Sequence, residues 1–263
     1  MSDDLVLCDV TENVAVVTMN RPKALNALSD AMLAALSETL TRIAGDQDIK
    51  AVVLRGAGKV FCAGHDLKEM QAGRTSADKG AAYFNDLFAR CGELMQLIPT
   101  LPQPVIAQVH GIATAAGCQL VATCDMAVAA SDARFGVNGV NIGLFCSTPM
   151  VALTRNLPRK QAFEMLTTGE FISAEQANNV GLINRVATPD DLEPETMALA
   201  KTVASKLSAA VQIGKRAFYE QINLPVDQAY AYTGSVMAEN MLLKDTDEGI
   251  NAFIEKRKPG WAQ

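Results

Sequence analysis

The sequence predicts an α/β fold. Three observations carry that prediction. Two apolar, β-branched-rich runs, "AVVLRG" (51–56) and "PVIAQVHG" (104–111), read as strands covered on both faces. Apolar residues at helical spacing alternate with those runs. Beyond about Leu144 the pattern turns mostly helical. The chain has 263 residues, 49% of them hydrophobic, enough for one large core or a core with a small appendage. We divide it into an α/β core over 1–200 and a helical region over 201–263.

Taken in order, "LVLCDV" and "VAVVTM" flank the polar break Thr11–Asn13 and predict a β-hairpin. Ser29 caps a helix in which Met32, Leu33, Leu36 and Leu40 share a face. After the strand at 51–56 comes the loop "AGKVFCAGHD", then the polar patch "QAGRTSADKG". Helical spacing runs from Ala81 to Ile98, and prolines at 99, 102 and 104 predict its end. After "PVIAQVHG" and a run of small residues, "MAVAAS" and "ARFGV" read as short strands. Ser173 with Gln176 makes a capping box, and Thr188-Pro189 before Asp191 marks another helix start. The last helix carries Ile250, Phe253 and Ile254 on one face, ends in Lys256-Arg257-Lys258, and is stopped by Pro259.

Composition excludes several functions. The net charge of −6 argues against nucleic-acid binding, which favours a basic face. Six cysteines form no C-x-x-C pair and sit mostly in apolar runs, so they read as reduced, structural thiols. With only His65 and His110 besides, no metal site is expected. No apolar run reaches the ~18–20 residues of a membrane span. The acidic start "MSDDLVLCDV" has neither a signal-peptide nor a transit-peptide pattern, so a cytoplasmic location is expected. P-loop, G-x-S-x-G and H-E-x-x-H motifs are missing.

The chemistry concentrates in two small-residue turns, "FCAGHD" (61–66) and "ATAAGCQL" (113–120), each following a buried strand and opening towards helix. Unpaired N–H groups at such entrances hold negative charge, and small residues let a ligand reach the backbone. Aimed together, two such turns form an oxyanion hole for one carbonyl oxygen. The alternative is that the small residues serve only close helix–sheet packing. His110, at a strand end, reads as a core hydrogen-bonder, and Asp125 as a tie for backbone.

The segments "NRPKALNAL", "VFCAGHDLKEM", "PVIAQVHGIATAAGCQLVATCDMAVAASDARFG", "GEFISAEQANNVGLINRV" and "FIEKRKP" occur in an order that resembles the crotonase, or enoyl-CoA hydratase/isomerase, superfamily. "GCQLVATCD" and "GLFCSTP" most resemble its enoyl-CoA hydratase domain-containing protein 3-like branch. The resemblance implies a spiral of ββα units with a helical C-terminal region that builds homotrimers or hexamers. It implies an acyl-CoA thioester as ligand, coenzyme A entering as part of the substrate, with no other cofactor. By motif position the oxyanion donors are the amides of His65 and Ala116. Lys23, Ala24 and Leu25, then Ala63, Asp66 and Leu67, match CoA contacts; Phe253 and Lys256 match residues that reach CoA from a neighbouring subunit.

Family hydratases use two glutamates, and this chain has Gln119 and Gly139 at those positions. An amide takes up no proton near neutral pH and glycine has no side chain, so acid–base help worth about 10²–10⁴-fold per group is missing. Gln119 either hydrogen-bonds a ligand or water, or is a satisfied polar residue at a helix start. Cys146 and Ser147 align with positions where relatives place reactive groups. The expected function is stabilisation of a thioester enolate. Alternatives are a non-catalytic acyl-CoA-binding scaffold, or decarboxylation of a malonyl-type ester with His65 as a polar pocket residue. Restoring both glutamates is expected to raise crotonyl-CoA hydration if the pocket is otherwise intact.

Overall fold

The computed structural model describes residues 4–261. The predicted hairpin forms from β1 (Val6–Thr11) and β2 (Val14–Met19), with Glu12 and Asn13 at positive φ in the turn. After a short 3-10 turn at Pro22–Ala24, Ser29 caps α1 (Asp30–Ala44) by accepting from the Met32 amide. That helix buries Met32, Leu33, Leu36, Leu40 and Ile43 against the sheet. β3 (Ala51–Gly56) follows, then α2 (Leu67–Gly73) and α3 (Ala81–Thr100). α3 continues through Pro99 into its final turn and stops after Thr100, the proline withdrawing the N–H that would otherwise reach the Met95 carbonyl.

β4 (Val105–Val109) is buried at every residue and leads through β5 (Ile112–Thr114) into α4 (Ala116–Thr123). β6 (Met126–Ala130) and β7 (Arg134–Gly136) come next, followed by a 3-10 turn at Asn138–Ile142. Then come α5 (Ser147–Asn156), α6 (Arg159–Thr168), β8 (Ile172–Ser173) and α7 (Ala174–Asn179), with the predicted capping box of Ser173 and Gln176 intact. β9 (Arg185–Ala187) and α8 (Leu192–Ala204) complete the core.

The main sheet has the order β1-β2-β3-β4-β6-β9 and is parallel apart from the opening hairpin. Its central strands β3 and β4 are covered on both faces, as their apolar runs require. A second, three-stranded sheet, β5-β7-β8, stands beyond the carboxyl end of β4. Its first strand was hidden in the small-residue run, too short at three residues to show a period.

α9 (Ser208–Gln221), α10 (Val226–Met241) and α11 (Lys244–Ile254) close the chain. The expected division at 200 falls inside α8, which packs on β3, β4 and β6. α9 is tied to the core by a buried network. The Lys215 ammonium donates to Asp125 Oδ2 at 2.7 Å and to the carbonyls of Ile98 and Gln103. Tyr219 donates to Asp125 Oδ1, and the Val105 amide to Asp125 Oδ2. Asp125 thus ties down backbone, as its place at the end of "GCQLVATCD" suggested. Burial pushes the Lys215 pKa down, against the pull of Asp125.

Removing one partner of a buried pair strands the other charge. Lys215→Met is therefore expected to cost roughly 3–5 kcal/mol in urea unfolding. Lys201→Met, which breaks the exposed pair with Glu12, is expected to cost less than about 1 kcal/mol.

Candidate active site

The 61–66 turn lies between two other segments and bonds to both. On one side the Cys62 amide donates to the Ile112 carbonyl, and the Thr114 amide to the Cys62 carbonyl. On the other, Ala63 donates to the Leu25 carbonyl and Leu28 to the Gly64 carbonyl. Two of the predicted ligand-contact segments, 23–25 and 63–67, are therefore neighbours, and both adjoin the entrance to α4.

Glycine makes the contact between the two donor turns possible. A Cβ on Gly64, at φ +86°, would lie 2.9 Å from Ala115 Cβ and 3.3 Å from the Ala116 nitrogen. A Cβ on Gly117 would lie 2.3 Å from the Cys62 carbonyl oxygen. Between these glycines Ala115 adopts φ +50°, ψ −121°, a conformation that costs a non-glycine residue roughly 1–3 kcal/mol. Its amide donates to the Gly136 carbonyl at 2.9 Å, and Thr114 Oγ1 donates to Asn138 Oδ1 at 2.7 Å. The strained turn is thereby fixed from the β7 side.

The amides of His65 and Ala116 donate to no acceptor among the described residues. They stand on two turns in van der Waals contact. The close packing that the small residues suggested is present here, and the unpartnered His65 and Ala116 amides belong to the two turns it joins.

Around them the side chains are largely committed. Asp66 accepts from Arg21 at 2.7 Å and caps α2 through the Lys68 and Glu69 amides. Burial works to raise its pKa, but Arg21 and those amides together outweigh it and hold the carboxyl below its usual range. Asn26, fully buried, donates to the carbonyls of Ala57, Val60 and Phe61 and accepts from the Arg21 amide. Sequence reading missed Arg21 and Asn26, although a loop asparagine that substitutes for backbone partners was a usable signal. Lys23 and Leu25 stay exposed, as does Leu67.

His65 and Gln119 are not committed. The His65 ring meets Phe88 edge-on at a centroid distance of 5.6 Å, and neither ring nitrogen has a hydrogen-bond partner. Burial lowers its pKa, so the ring is neutral near pH 7. Gln119 is only 4% exposed and its Oε1 has no partner. It is therefore not the satisfied helix-start residue that the sequence left open. His110 is satisfied: its Nε2 lies 3.0 Å from the Gly58 carbonyl oxygen.

The other candidates lie beside Gly139. The Leu144 amide donates to the Gly139 carbonyl, folding the 139–146 segment onto the glycine. A Cβ there would lie 2.3 Å from the Leu144 carbonyl oxygen and 2.8 Å from Cys146 Sγ. The expectation that Gly139→Glu rebuilds a catalytic carboxylate is corrected on this ground: backbone fills the space. Burial raises the Cys146 pKa, so its thiol is not poised as a nucleophile. Ser147 is exposed, its hydroxyl 3.4 Å from the Phe145 carbonyl oxygen, with no base beside it among the described residues. Phe253 lies in the last turn of α11, which packs on α10, and Lys256 just beyond that helix; no hydrogen bond or ion pair joins them to the 23–25 or 63–67 segments among the described residues.

Two predictions follow from this geometry. Gly139→Ala is expected to cost about 1–3 kcal/mol in denaturant unfolding, the usual penalty of overpacking. The second concerns pH. Because the folded His65 pKa lies below its ordinary 6.5, the unfolded chain takes up the proton first as pH falls. Stability from the neutral ring is complete above about pH 6.5 and is lost from there down to the folded pKa. The urea midpoint is expected to fall between about pH 7.5 and 5.5, and His65→Gln to lessen that fall, His110 supplying the remainder.

Comparison with known proteins identifies the family. Residues 9–263 match the family model described as enoyl-CoA hydratase/isomerase. The mitochondrial enoyl-CoA hydratase domain-containing protein 3 of Rattus norvegicus is 45% identical over 251 residues, 95% of this chain and 82% of the relative. The human protein of that name is 44% identical over 95% of this chain and 81% of its own length. Among crystal structures, an enoyl-CoA hydratase from Mycobacterium smegmatis is 54% identical with a TM-score of 0.95, covering 99% of this chain and 100% of that one. Human enoyl coenzyme A hydratase domain-containing protein 3 is 43% identical with a TM-score of 0.93, covering 98% and 100%. Both of these curated relatives are named as mitochondrial, which overturns the cytoplasmic location expected from the sequence. With a matching family model over nearly its whole length and the same α/β architecture, the chain belongs to the enoyl-CoA hydratase/isomerase family and has the crotonase fold.

Proposed function

We propose that the protein binds acyl-CoA thioesters and stabilises the enolate form of the thioester through the amides of His65 and Ala116. The observation that carries this reading is the pair of unpartnered amides on two touching turns. Preorganised donors of this kind are worth ~3–4 kcal/mol each to a developing oxyanion. The thioester oxygen sits between them, and its α-carbon develops negative charge as a bond to it breaks. CoA lies along 23–25 and 63–67, where Lys23 offers its ammonium to phosphate and Ala24, Leu25, Ala63 and Leu67 offer backbone and apolar surface. Asp66 serves there through its backbone, since its carboxylate is held by Arg21.

Hydration is not the reaction this pocket favours. It asks for a base at the β-carbon, and neither Gln119 nor Gly139 supplies one. The backbone closing over Gly139 also supports a binding role without turnover, which the same assay distinguishes. Self-association as a trimer or hexamer belongs to the same proposal. In the single chain Val226, Tyr230, Met237 and Leu242 of the α10 region stand exposed, and Phe253 at 85% exposure points away from any core. A neighbouring copy would cover them and bring its Phe253 and Lys256 towards CoA.

Ala116 is the first residue of α4, so Ala116→Pro deletes one donor without removing an intrahelical hydrogen bond, although it adds strain at Ala115, whose positive φ a following proline disfavours. With crotonyl-, butyryl- and malonyl-CoA, the expected result is binding by calorimetry and little hydration of crotonyl-CoA. Whatever turnover is found should drop at least ~100-fold in Ala116→Pro, with the circular dichroism spectrum retained. Undiminished turnover or affinity in that variant contradicts the donor assignment.

A further inference from the structure

The donor helix begins at a strained residue that is held from both sides. β5 hands over to α4 at Ala115, whose φ of +50° and ψ of −121° lie outside the wells open to a residue with a Cβ. Such a conformation lasts only where its surroundings hold it. On the α4 side, the Ala115 carbonyl accepts from the Gln119 amide at 3.0 Å. On the β5 side, the Thr114 amide donates to the Cys62 carbonyl and the Ala115 amide to the Gly136 carbonyl. The Thr114 hydroxyl adds a bond to Asn138 Oδ1 at 2.7 Å. Of these bonds the last alone is made by side chains, so it is the one that the choice of residue controls.

The aim of the Ala116 donor follows from the same geometry. The Ala115 carbonyl and the Ala116 N–H share one planar trans peptide and point opposite ways. Any rotation that relieves Ala115 towards the left-handed well, at ψ of about +47°, therefore turns the donor. The strain and a single hydrogen bond are of similar size, so one bond more or less decides whether the peptide keeps its angle. Thr114 is well placed to supply that bond. It is buried, it stands opposite Gly136 in the register of β5 with β7, and Asn138 follows at the exit of β7. Asn138 also opens the 3-10 turn Asn138–Ile142, which carries Gly139. The bond thus joins the donor turn to the segment that closes over Gly139.

We propose that Thr114 and Asn138 are positioning residues for the thioester carbonyl. Their side-chain hydrogen bond holds the peptide between Ala115 and Ala116 at the angle that aims the Ala116 amide at the oxygen. The proposal rests on the thioester reading above and deepens it. Neither side chain touches the ligand; both act through Ala115.

The test is calorimetry on the full chain with butyryl-CoA and its thioether S-butyl-CoA, which has a methylene in place of the carbonyl. The ratio of the two affinities reads the donors alone, because the CoA part and the chain length are shared. The unaltered protein is expected to bind the ester about tenfold more tightly. Thr114→Val is expected to bring that ratio to about threefold or less, with the thioether affinity changed by less than about twofold. Thr114→Ser keeps the hydroxyl and is expected to keep the ratio. Asn138→Ala removes the other partner from a half-buried position and is expected to match Thr114→Val, a second readout should that variant fail to fold. The double variant is expected to fall no further, since both changes delete one bond. A ratio unchanged in Thr114→Val or Asn138→Ala overturns the proposal and leaves the thioester reading standing. So does an equal loss of affinity for both ligands, the mark of a purely structural bond. Equal affinities for ester and thioether in the unaltered protein overturn the thioester reading along with it.

Discussion

Two turns touch where side chains would have kept them apart, and the rest of the site depends on that contact. Gly64 meets the Ala115–Ala116 backbone, and Gly117 meets the Cys62 carbonyl. Hydrogen bonds hold both turns in position: the first through Cys62 to β5 and through Ala63 and Gly64 to Leu25 and Leu28, the second through Ala115 to Gly136. Once those bonds are counted, the His65 amide on the first turn and the Ala116, Gly117 and Cys118 amides on the second have no acceptor among the described residues. An empty donor at a helix start is ordinary, because the first turn of any helix has them. Here two turns that carry such donors abut, and one of them is held in place by a strained alanine.

The donor helix is short, and both its ends are fixed by distant parts of the chain. At its start, Ala115 bonds to Gly136, at the end of the second sheet. Just beyond its end, Asp125 gathers the Val105 amide, Lys215 and Tyr219. An eight-residue helix has little stability of its own, so these outside ties set its position. They also link the pocket to α9, in the helical region that carries the exposed apolar surface. Changes in that region are therefore expected to reach Ala116 through packing and a buried ion pair.

Much of this was legible in the sequence, for reasons that can be named. The β-branched runs at 51–56 and 104–109 became the central strands because only a doubly covered strand takes apolar residues without alternation. Ser29 and Ser173 marked true helix starts because their side chains satisfy amides that nothing else satisfies. The small residues at 61–66 and 113–120 marked two turns that touch. Other features left no mark. β5 and β8 are three and two residues long, below the length at which a period exists. Arg21 and Asp66 are 45 residues apart and meet only through the fold. Nor does any letter reveal that Gly139 has a carbonyl pressed against it, since glycine looks the same where a side chain is unneeded and where it is impossible.

That last distinction bears on what belonging to the family means here. A chain that had merely lost two catalytic carboxylates would keep the space they filled, and would regain function when they were restored. At position 139 the space is gone: the Leu144 carbonyl and the Cys146 sulfur occupy it, and the 139–146 segment is bonded in that shape. At position 119 the opposite holds. A side chain isosteric with glutamate is present, buried, and lacking a partner for its oxygen. One half of the hydratase pair has thus been closed by backbone while the other has kept its hydrogen-bonding reach without its charge. Restoring two carboxylates would therefore meet two different obstacles: at 119 only a charge is missing, whereas at 139 the backbone itself would have to move.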